Sequence, residues 1–274
     1  MRLDPRERKC DLCGHEGPEI LWERRKGSIA RCPKCGLVFT VLSEGMDPRS
    51  VYERGPFSAP EDGPKRLAIW RGRLGMLLGY GTGGRILDVG CGKGGFLREA
   101  RRAGLLAVGV DISEREATTA RLASGAEVAV ADACALPFSN GSFDMVSMWN
   151  VLEHLVSPKG ALLEARRVLK DGGLLVVSVP NMSPPFGLFS PFLKRKSGRW
   201  GLFKFEESGH LYHFSRRTLS LYLARTGFSV LKLWAGEVPL KSRALTGVPT
   251  HLRKALERAL GAGSPLVALA RKEG

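Results

Sequence analysis

The sequence predicts an α/β fold: a doubly wound, mostly parallel sheet of seven strands, preceded by a small cysteine-rich module. Two observations support this fold class. Short apolar runs alternate with helical stretches over residues 65–274, and such alternation is typical of a parallel sheet covered on both faces. Four of the six cysteines lie in residues 10–35 as two C-x2-C pairs, a spacing typical of zinc sites.

Apolar periodicity and turn residues predict each element in order. The predicted strands are 85–90, 106–112, 126–132, 143–149, 174–179, 228–234 and 265–271. The predicted helices are 65–79, 94–103, 114–124, 158–170, 216–226 (with Ser215 as its N-cap) and 249–260. We therefore expect a ribbon-like module at 1–42, a linker rich in Pro, Gly and charge at 43–64, and the α/β domain at 65–274, with a substrate-side insert at 182–215.

Composition narrows the class of protein. Hydrophobic residues make up 43% of the 274 residues, enough for a core and too many for a disordered chain. We find no apolar run near the ~18 residues that span a bilayer. The charged start MRLDPRERKC is not a signal peptide, so we expect a cytoplasmic protein with reduced cysteines.

The positive charge is concentrated towards the end of the chain. The net charge is +15, and residues 182–274 hold 16 Lys/Arg against 5 Asp/Glu. A basic lobe favours an anionic partner such as a phosphate, a nucleic acid or a lipid surface. A basic surface that contacts only solvent is the alternative.

A glycine-rich loop follows the first predicted strand of the α/β domain, in the stretch RILDVGCGKGGFL (85–97). Glycines at a strand–helix turn let the backbone approach a ligand, and the helix start offers unpaired N–H groups. Asp111 ends the next strand, 21 residues after Gly90, where a carboxylate can accept hydrogen bonds from ribose hydroxyls. A simple tight turn and a nicotinamide dehydrogenase are the alternatives. Asp88 and Asp132, at the ends of the first and third strands, argue against the dehydrogenase.

Five stretches then occur in a familiar order: LDVGCGKGG (87–95), GVDIS (109–113), ADACALPFSNGSFDMV (131–146), WNVLEHL (149–155) and LKDGGLLVVSVPN (169–181). In these the chain resembles the class I S-adenosylmethionine-dependent methyltransferases. GHLYHFSRRTLSLYLARTGF (209–228) is similar to their small-molecule, type 11/23-like branch. The resemblance implies a Rossmann-like sheet, a methyltransferase activity and S-adenosyl-L-methionine as cofactor.

The resemblance also assigns the residues at the methionine and ribose ends of the cofactor. The loop at Asp88, Gly90 and Gly92 would hold the methionine part. Cys91 belongs to the same loop, where we expect a small packing group. Asp111 would bind the ribose hydroxyls. Carboxylates around a cationic sulfonium and an amino group are electrostatically favourable.

The adenine and the sulfonium follow from the same resemblance. Ile112 would pack on the adenine, Asp132 would accept from its amino group, and the Ala133 N–H would donate to a ring nitrogen. Asn150 and Val151, at the end of the fourth strand, would border the sulfonium. Asp132 viewed alone could equally be a residue that caps a turn.

Methyl transfer from a sulfonium requires an aligned acceptor and, for a hydroxyl or carbon acid, removal of a proton. His154, beside Glu153 just after the fourth strand, is the first candidate for the general base, and His210 and His213 are the second. A structural, hydrogen-bonded histidine is the alternative for each. The fourth strand is followed by NVLEHL rather than an Asn-Pro-Pro-aromatic loop, which argues against adenine N6 methylation. No cysteine is positioned for pyrimidine C5 methylation.

The cysteine module reads CDLCGHEGPEILWERRKGSIARCPKCG (10–36). Cys10, Cys13, Cys32 and Cys35 could bind Zn2+ through four thiolates, a closed structural site without an open catalytic position. The glycine after each pair lets the backbone turn its N–H groups toward the sulfurs. Disulfides, free thiols and an iron site are the alternatives. The layout resembles zinc ribbons that precede bacterial methyltransferase domains.

Three functions remain open. The first is methylation of a small acceptor, sugar- or lipid-linked and anionic. The second is RNA methylation that uses the ribbon and the basic lobe, and the third is a non-catalytic cofactor-binding adaptor. Residues 186–205 combine five Phe and one Trp with five Lys/Arg. They could form a lid over the acceptor, a peripheral membrane contact or a stacking surface for nucleic acid.

Overall fold

The structure is a computed structural model, and it describes residues 9–23, 27–43, 63–80, 83–182, 209–236 and 265–274. The described fold is built on two β-sheets. The strands are β1 (Glu19–Trp22), β2 (Gly27–Arg31), β3 (Val38–Leu42), β4 (Arg85–Val89), β5 (Leu106–Asp111), β6 (Glu127–Val130), β7 (Phe143–Trp149), β8 (Leu169–Val179), β9 (Tyr212–His213), β10 (Phe228–Ala235) and β11 (Leu266–Lys272). The helices are α1 (Pro64–Leu78), α2 (Gly95–Arg102), α3 (Glu114–Ser124), α4 (Pro158–Val168) and α5 (Arg216–Arg225).

The larger sheet has seven strands in the order β10-β11-β8-β7-β4-β5-β6. β6, β5, β4, β7 and β8 are parallel to one another, whereas β10 and β11 are antiparallel to their neighbours. The strand order reverses at β4, so the carboxyl ends of β4 and β7 face the crevice in which open α/β sheets bind ligands. The prediction of a doubly wound, mostly parallel, seven-stranded sheet is confirmed.

The central strands are apolar because helices cover both faces of the sheet. On one face, α1, α2 and α3 bury side chains such as Trp70, Phe96 and Ala117 against Ile86 and Met145. On the other face, α4 and α5 pack against the alternate strand residues, and this core continues into the N-terminal module. Burial of both faces explains why the strands read as continuous apolar runs rather than as alternating patterns.

Most predicted boundaries lie within two residues of the observed ones. Ser215 caps α5, as predicted, and forms a capping box with Thr218. β6 ends at Val130 rather than 132 because the Asp132 side chain accepts from the Cys134 N–H and closes a turn. β8 begins at Leu169 rather than 174, directly after α4. The predicted helix 249–260 lies outside the described residues.

The smaller sheet joins the N-terminal module to the rest of the chain. Its order is β1-β2-β3-β9, and β9 comes from the segment that precedes α5. Asp11 accepts from the Ser157 hydroxyl at 2.7 Å, from the Lys159 N–H at 3.0 Å and from the Tyr222 hydroxyl at 3.1 Å. The module is therefore docked on α4 and α5 through a shared sheet, a shared core and the polar contacts of Asp11.

No helix within the described ranges combines the length and the apolar content needed to cross a membrane.

Candidate active site and cysteine cluster

The glycine loop between β4 and α2 leaves room for a ligand at its centre. Gly90 and Gly92 have φ of 70° and 51°, in the left-handed region that favours glycine. A Cβ on Gly90 would lie 2.5 Å from a methyl of Val151, whereas a Cβ on Gly92 would meet no atom within 4 Å. The loop therefore packs closely on Val151, the second residue after β7, and presents open backbone at Gly92.

Asp111 is held at the end of β5 by the same loop. One carboxylate oxygen accepts from the Gly92 N–H at 2.9 Å, and the other accepts from the Ser113 N–H at 2.9 Å. Burial raises the pKa of Asp111, and these N–H donors oppose that shift. Each oxygen keeps a second lone pair for a ligand donor. Ile112, next in the chain, is 44% exposed, so its side chain is accessible to a flat ligand surface.

Asp88 is buried on β4 and accepts from the Ser147 hydroxyl at 2.7 Å. Ser147 pairs with Asp88 across the parallel strands β4 and β7. We did not predict Ser147 as a site residue. The sequence shows only that a serine interrupts the apolar strand FDMVSMW. The hydrogen-bond partner of that serine depends on the register of β7 against β4, which the sequence does not show.

Asp132 and Ala133 lie just beyond the carboxyl end of β6. One Asp132 oxygen accepts from the Cys134 N–H at 2.9 Å, and the Asp132 carbonyl accepts from the Ala135 N–H at 2.9 Å. Asp132 thus has the turn-capping contact that we held as its alternative role. The contact also fixes the carboxyl group beside the buried Ala133, so an adenine-binding role remains compatible with the geometry.

Asn150 and Val151 follow β7 at the crevice. Asn150 has φ of 59°, the only positive φ of a non-glycine residue within the described ranges. Its N–H donates to the Ser178 carbonyl at 2.8 Å. Strained backbone of this kind is held only where the surroundings fix it. The turn directs the chain from β7 into a 3₁₀ turn, Leu152–His154.

Glu153, His154 and His210 come together beside this turn. The His154 and His210 rings are 4.8 Å apart between centroids, and the His154 Nε2 lies 3.8 Å from a Glu153 carboxylate oxygen. The Leu211 N–H donates to the Glu153 carbonyl at 2.7 Å, which ties the segment of His210 to the turn. The sequence predicted the two histidines separately, and the fold places them in contact.

Burial makes all three side chains of this group electrically neutral near pH 7. Burial raises the pKa of Glu153 to about 8, and the nearby Asn150 side chain opposes that shift. Burial lowers the pKa of His154 to about 3, with a further contribution from His210. Burial lowers the pKa of His210 to about 4. The imidazoles therefore offer lone pairs rather than positive charge.

His213 faces the N-terminal module. Its Nε2 lies 3.2 Å from the Thr40 hydroxyl, and that hydroxyl also donates to the His210 carbonyl at 3.1 Å. Burial lowers the pKa of His213 to about 3. Thr40 of β3 is a second residue that sequence reasoning missed, since nothing local connects it to a strand some 170 residues further along the chain.

A buried arginine is a third residue that we did not predict near the crevice. Arg73 of α1 is 3% exposed and lies between two aromatic rings, 4.8 Å from the Trp70 centroid and 4.3 Å from the Trp149 centroid. Trp149 immediately precedes Asn150. The helical spacing of α1 suggested only a packing role for this helix.

The four cysteines of the N-terminal module form a compact cluster. Their sulfurs all lie within 4.8 Å of one another, with Cys10–Cys35 at 3.6 Å and Cys13–Cys32 at 3.5 Å. Tetrahedral Zn–S bonds of about 2.3 Å require sulfur separations of about 3.8 Å. All six cysteines of the chain are described, and none is in a disulfide. The arrangement fits a four-thiolate metal site and excludes the disulfide alternative in this structure.

Two matching turns shape the cluster. The Gly14 N–H donates to the Cys10 carbonyl at 2.7 Å, and the Gly36 N–H donates to the Cys32 carbonyl at 2.9 Å. Both glycines have positive φ, 70° and 78°, as expected from their place after each C-x2-C pair.

The two other cysteines are not part of this cluster. The Cys91 sulfur packs over Gly109, where a Cβ would lie 2.9 Å from it. Burial raises the pKa of the Cys91 thiol and raises that of Cys134 to about 11. Both thiols are therefore protonated near neutral pH, and for Cys91 a packing role agrees with the contact over Gly109.

Comparison with known proteins places the chain in a family. The family model described as "Methyltransferase domain" matches residues 62–233. The chain therefore belongs to this methyltransferase family, which confirms the predicted S-adenosylmethionine-dependent methyltransferase.

Two relatives illustrate the match. The chain is 34% identical to a demethylmenaquinone methyltransferase of Tropheryma whipplei (strain Twist) over 139 residues, 46% of this chain and 54% of the relative. It is 38% identical to a ubiquinone biosynthesis O-methyltransferase of Roseobacter denitrificans over 105 residues, 36% of this chain and 42% of the relative. The chain spans about half the length of such relatives.

A solved structure shows the same fold. The structure of a Pyrococcus horikoshii protein superposes with a TM-score of 0.58 at 20% identity and covers 84% of this chain and all of that one.

Proposed function

We propose that the chain transfers the methyl group of S-adenosyl-L-methionine to a small, lipid-linked acceptor with an ionisable hydroxyl. One observation supports the acceptor class above others. Two neutral histidines, one buried and one partly buried, and a buried carboxyl group lie together beside Val151, which packs on the cofactor loop. Glu153 and His154 follow Val151 by two and three residues, and the His210 ring contacts His154. An enclosed, mostly apolar position with a few polar groups suits a small molecule with a hydroxyl.

The cofactor is assigned to the crevice at the carboxyl ends of β4 and β5. Open backbone at Gly92 and the oriented Asp111 carboxylate support the methionine and ribose contacts. Exposed Ile112 suits a face of the adenine, with Asp132 and Ala133 beyond it. S-adenosylmethionine supplies an already activated methyl carbon, so the chain has to align the acceptor and manage one proton.

The histidines are assigned to the acceptor side. His154 and His210 lie together beside the turn after β7, and both remain candidates for contact with the acceptor. The His213 ring nitrogen is engaged by Thr40, which favours the structural alternative for this residue. The names of the two relatives, a demethylmenaquinone methyltransferase and a ubiquinone biosynthesis O-methyltransferase, agree with a small, lipid-linked acceptor, and the second agrees with transfer to oxygen.

The four-cysteine cluster is proposed to hold one structural Zn2+. Four sulfurs at near-tetrahedral separations leave no open coordination position for catalysis. The metal would fix the loops that carry Asp11 and Leu12, whose contacts reach α4 and α5.

The cofactor assignment is tested by calorimetry with S-adenosylhomocysteine. We expect micromolar affinity, about −8 kcal/mol. Asp111→Ala should weaken binding by about 1–3 kcal/mol because ribose hydroxyls lose their acceptors. Asp171→Ala is the matched control, since Asp171 is an exposed carboxylate at the start of β8 that pairs with Lys272. Equal affinity of the two variants would contradict the assignment.

The acceptor is tested by following the labelled methyl group. Protein is incubated with methyl-tritiated S-adenosylmethionine and three fractions of a bacterial extract: lipids, water-soluble metabolites and RNA. We expect label in the lipid fraction, as a product that resists mild base, which cleaves methyl esters but not ethers. Label in RNA alone would support the RNA alternative and reject the lipid-linked acceptor.

A further inference from the structure

A second group of metal-type ligands lies outside the cysteine cluster. One carboxylate oxygen of Glu153 and one ring nitrogen each of His154 and His210 lie within 4.8 Å of one another. Two imidazoles and a carboxylate form a common ligand set for divalent first-row metals. Proximity alone does not establish a site, so the burial and the partners of the three groups decide the question.

The Glu153 carboxyl group is buried, and its oxygens lack hydrogen-bond partners among the described residues. Its side chain is 1% exposed, and neither carboxylate oxygen has a partner with hydrogen-bond geometry within the described part of the chain. A buried carboxyl group whose oxygens lack hydrogen-bond partners is costly in either protonation state. A cation between Glu153 and the two histidines would displace the carboxyl proton to solvent and pair with the resulting carboxylate.

His154 is oriented for ligation. Its Nδ1 lies 3.3 Å from the Gly209 carbonyl oxygen, and because a carbonyl only accepts, Nδ1 carries the proton. The Nε2 lone pair then faces Glu153 at 3.8 Å. A backbone carbonyl that fixes the other nitrogen is the usual outer contact of metal-bound histidine.

The 3.8 Å separation fits a shared metal better than a direct contact. It exceeds hydrogen-bonding distance. Two metal–ligand bonds of about 2.1 Å span roughly 3.0–3.9 Å at angles of about 90–135°.

We propose that Glu153, His154 and His210 bind one divalent first-row cation, such as Mn2+, whose open positions take the oxygen of the methyl acceptor. Binding of the cation rests on these residues alone, whereas its role towards the acceptor rests on the proposed function. A bound cation would lower the pKa of the acceptor hydroxyl, whose proton would pass to solvent. The oxygen then attacks the methyl carbon, the carbon–sulfur bond breaks, and a methyl ether and S-adenosylhomocysteine result.

The test is Mn2+ binding by the full chain, with zinc retained in the cysteine cluster. Mn2+ prefers oxygen and nitrogen ligands over thiolates, so the cluster should not compete. Loss of the free Mn2+ signal in electron paramagnetic resonance should report one ion per chain. Glu153→Gln keeps the size of the side chain and should weaken Mn2+ at least tenfold. Glu127→Gln, an exposed position on β6, should leave the affinity unchanged.

His210→Asn provides a second variant with the same expected loss. Thermal unfolding shows that each variant is folded. The proposal is overturned if folded wild-type protein takes up no Mn2+ and no zinc beyond one ion per chain, or if Glu153→Gln binds Mn2+ as tightly as wild type. S-adenosylhomocysteine is measured separately. Mn2+ uptake without cofactor binding would reject the proposed function and leave the cation site standing.

Discussion

At Gly92 the backbone has φ of 51°, and no atom lies within 4 Å of the position of an added Cβ. Gly92→Ala should cost about 1–2 kcal/mol of stability, since an L-residue is strained in the left-handed region. The added methyl would also occupy space assigned to the cofactor. We therefore expect S-adenosylhomocysteine affinity to fall at least tenfold, measured by calorimetry on protein that is fully folded at the assay temperature.

Gly104→Ala separates the two effects. Gly104 also has positive φ, 84°, with nothing within 4 Å of an added Cβ, but it precedes β5 at the amino edge of the sheet. This variant should lose similar stability and keep its cofactor affinity. If both variants bind S-adenosylhomocysteine like wild type, the ligand does not approach Gly92.

Candidate site residues could be selected from the sequence where the pattern that marks them lies in neighbouring residues. Asp111 could be singled out because it ends an apolar strand at a fixed distance from a glycine turn. Ser147 could not, because its bond to Asp88 depends on the register of two strands that are distant in sequence. Glu153 was noted only as the neighbour of His154, since its complete burial is a property of the packed core.

At the scale of elements, the pairing of β3 with β9 connects the N-terminal module to the candidate active site. Val38 pairs with His213 and Phe39 with Tyr212, and Thr40 contacts both His213 and the His210 carbonyl. The pattern of residues 38–42 predicts no partner strand by itself, because β9 has two residues and no periodicity. Sequence reasoning therefore expected a ribbon followed by a linker, and the docking emerged only from the fold.

Zinc content tests the cysteine cluster. Elemental analysis should give about one zinc per chain in wild type and none in Cys35→Ser, because three thiolates leave the site incomplete. Loss of zinc should loosen residues 10–42, since the metal stabilises a module with little core of its own. The melting temperature should fall, while S-adenosylhomocysteine binding persists at β4 and β5.

Cys134→Ser is the matched control, because Cys134 lies outside the cluster and its sulfur contacts the Ser157 carbonyl. It should retain zinc. Zinc-free wild-type protein with four thiols that react at neutral pH would refute the metal site. Loss of cofactor binding together with zinc would show that the docked module supports the cofactor crevice as well.

At the scale of the whole molecule, composition and motif order predicted the class of fold, and the family match and the strand order confirm it. The edge of the sheet that holds the candidate site is still a prediction. The identity of the methyl acceptor was harder to predict, because its recognition depends on contacts between distant parts of the chain and on segments such as 186–205. That segment, including Lys194, Arg195 and Lys196, lies outside the described residues.

The basic lobe distinguishes a lipid-linked acceptor from RNA. Replacing Lys194, Arg195 and Lys196 with Ala removes three positive charges. If these residues contact RNA phosphates, the slope of log K against log salt should fall by roughly 0.7 per lost contact on a single strand. We expect instead that wild-type protein binds single-stranded RNA weakly. The triple substitution should then change the slope by less than the roughly 0.7 expected for one phosphate contact.

The control removes three exposed charges elsewhere, through Ala at Arg102, Arg115 and Lys159. Both triple variants lower the net charge equally, so non-specific attraction to RNA should change equally in the two. Fluorescence anisotropy of a labelled oligonucleotide across a salt series measures the slopes. Tight, steeply salt-dependent binding that only the Lys194–Lys196 variant abolishes would overturn the lipid-linked acceptor. The methyltransferase family would still hold, because the match over residues 62–233 does not depend on the acceptor.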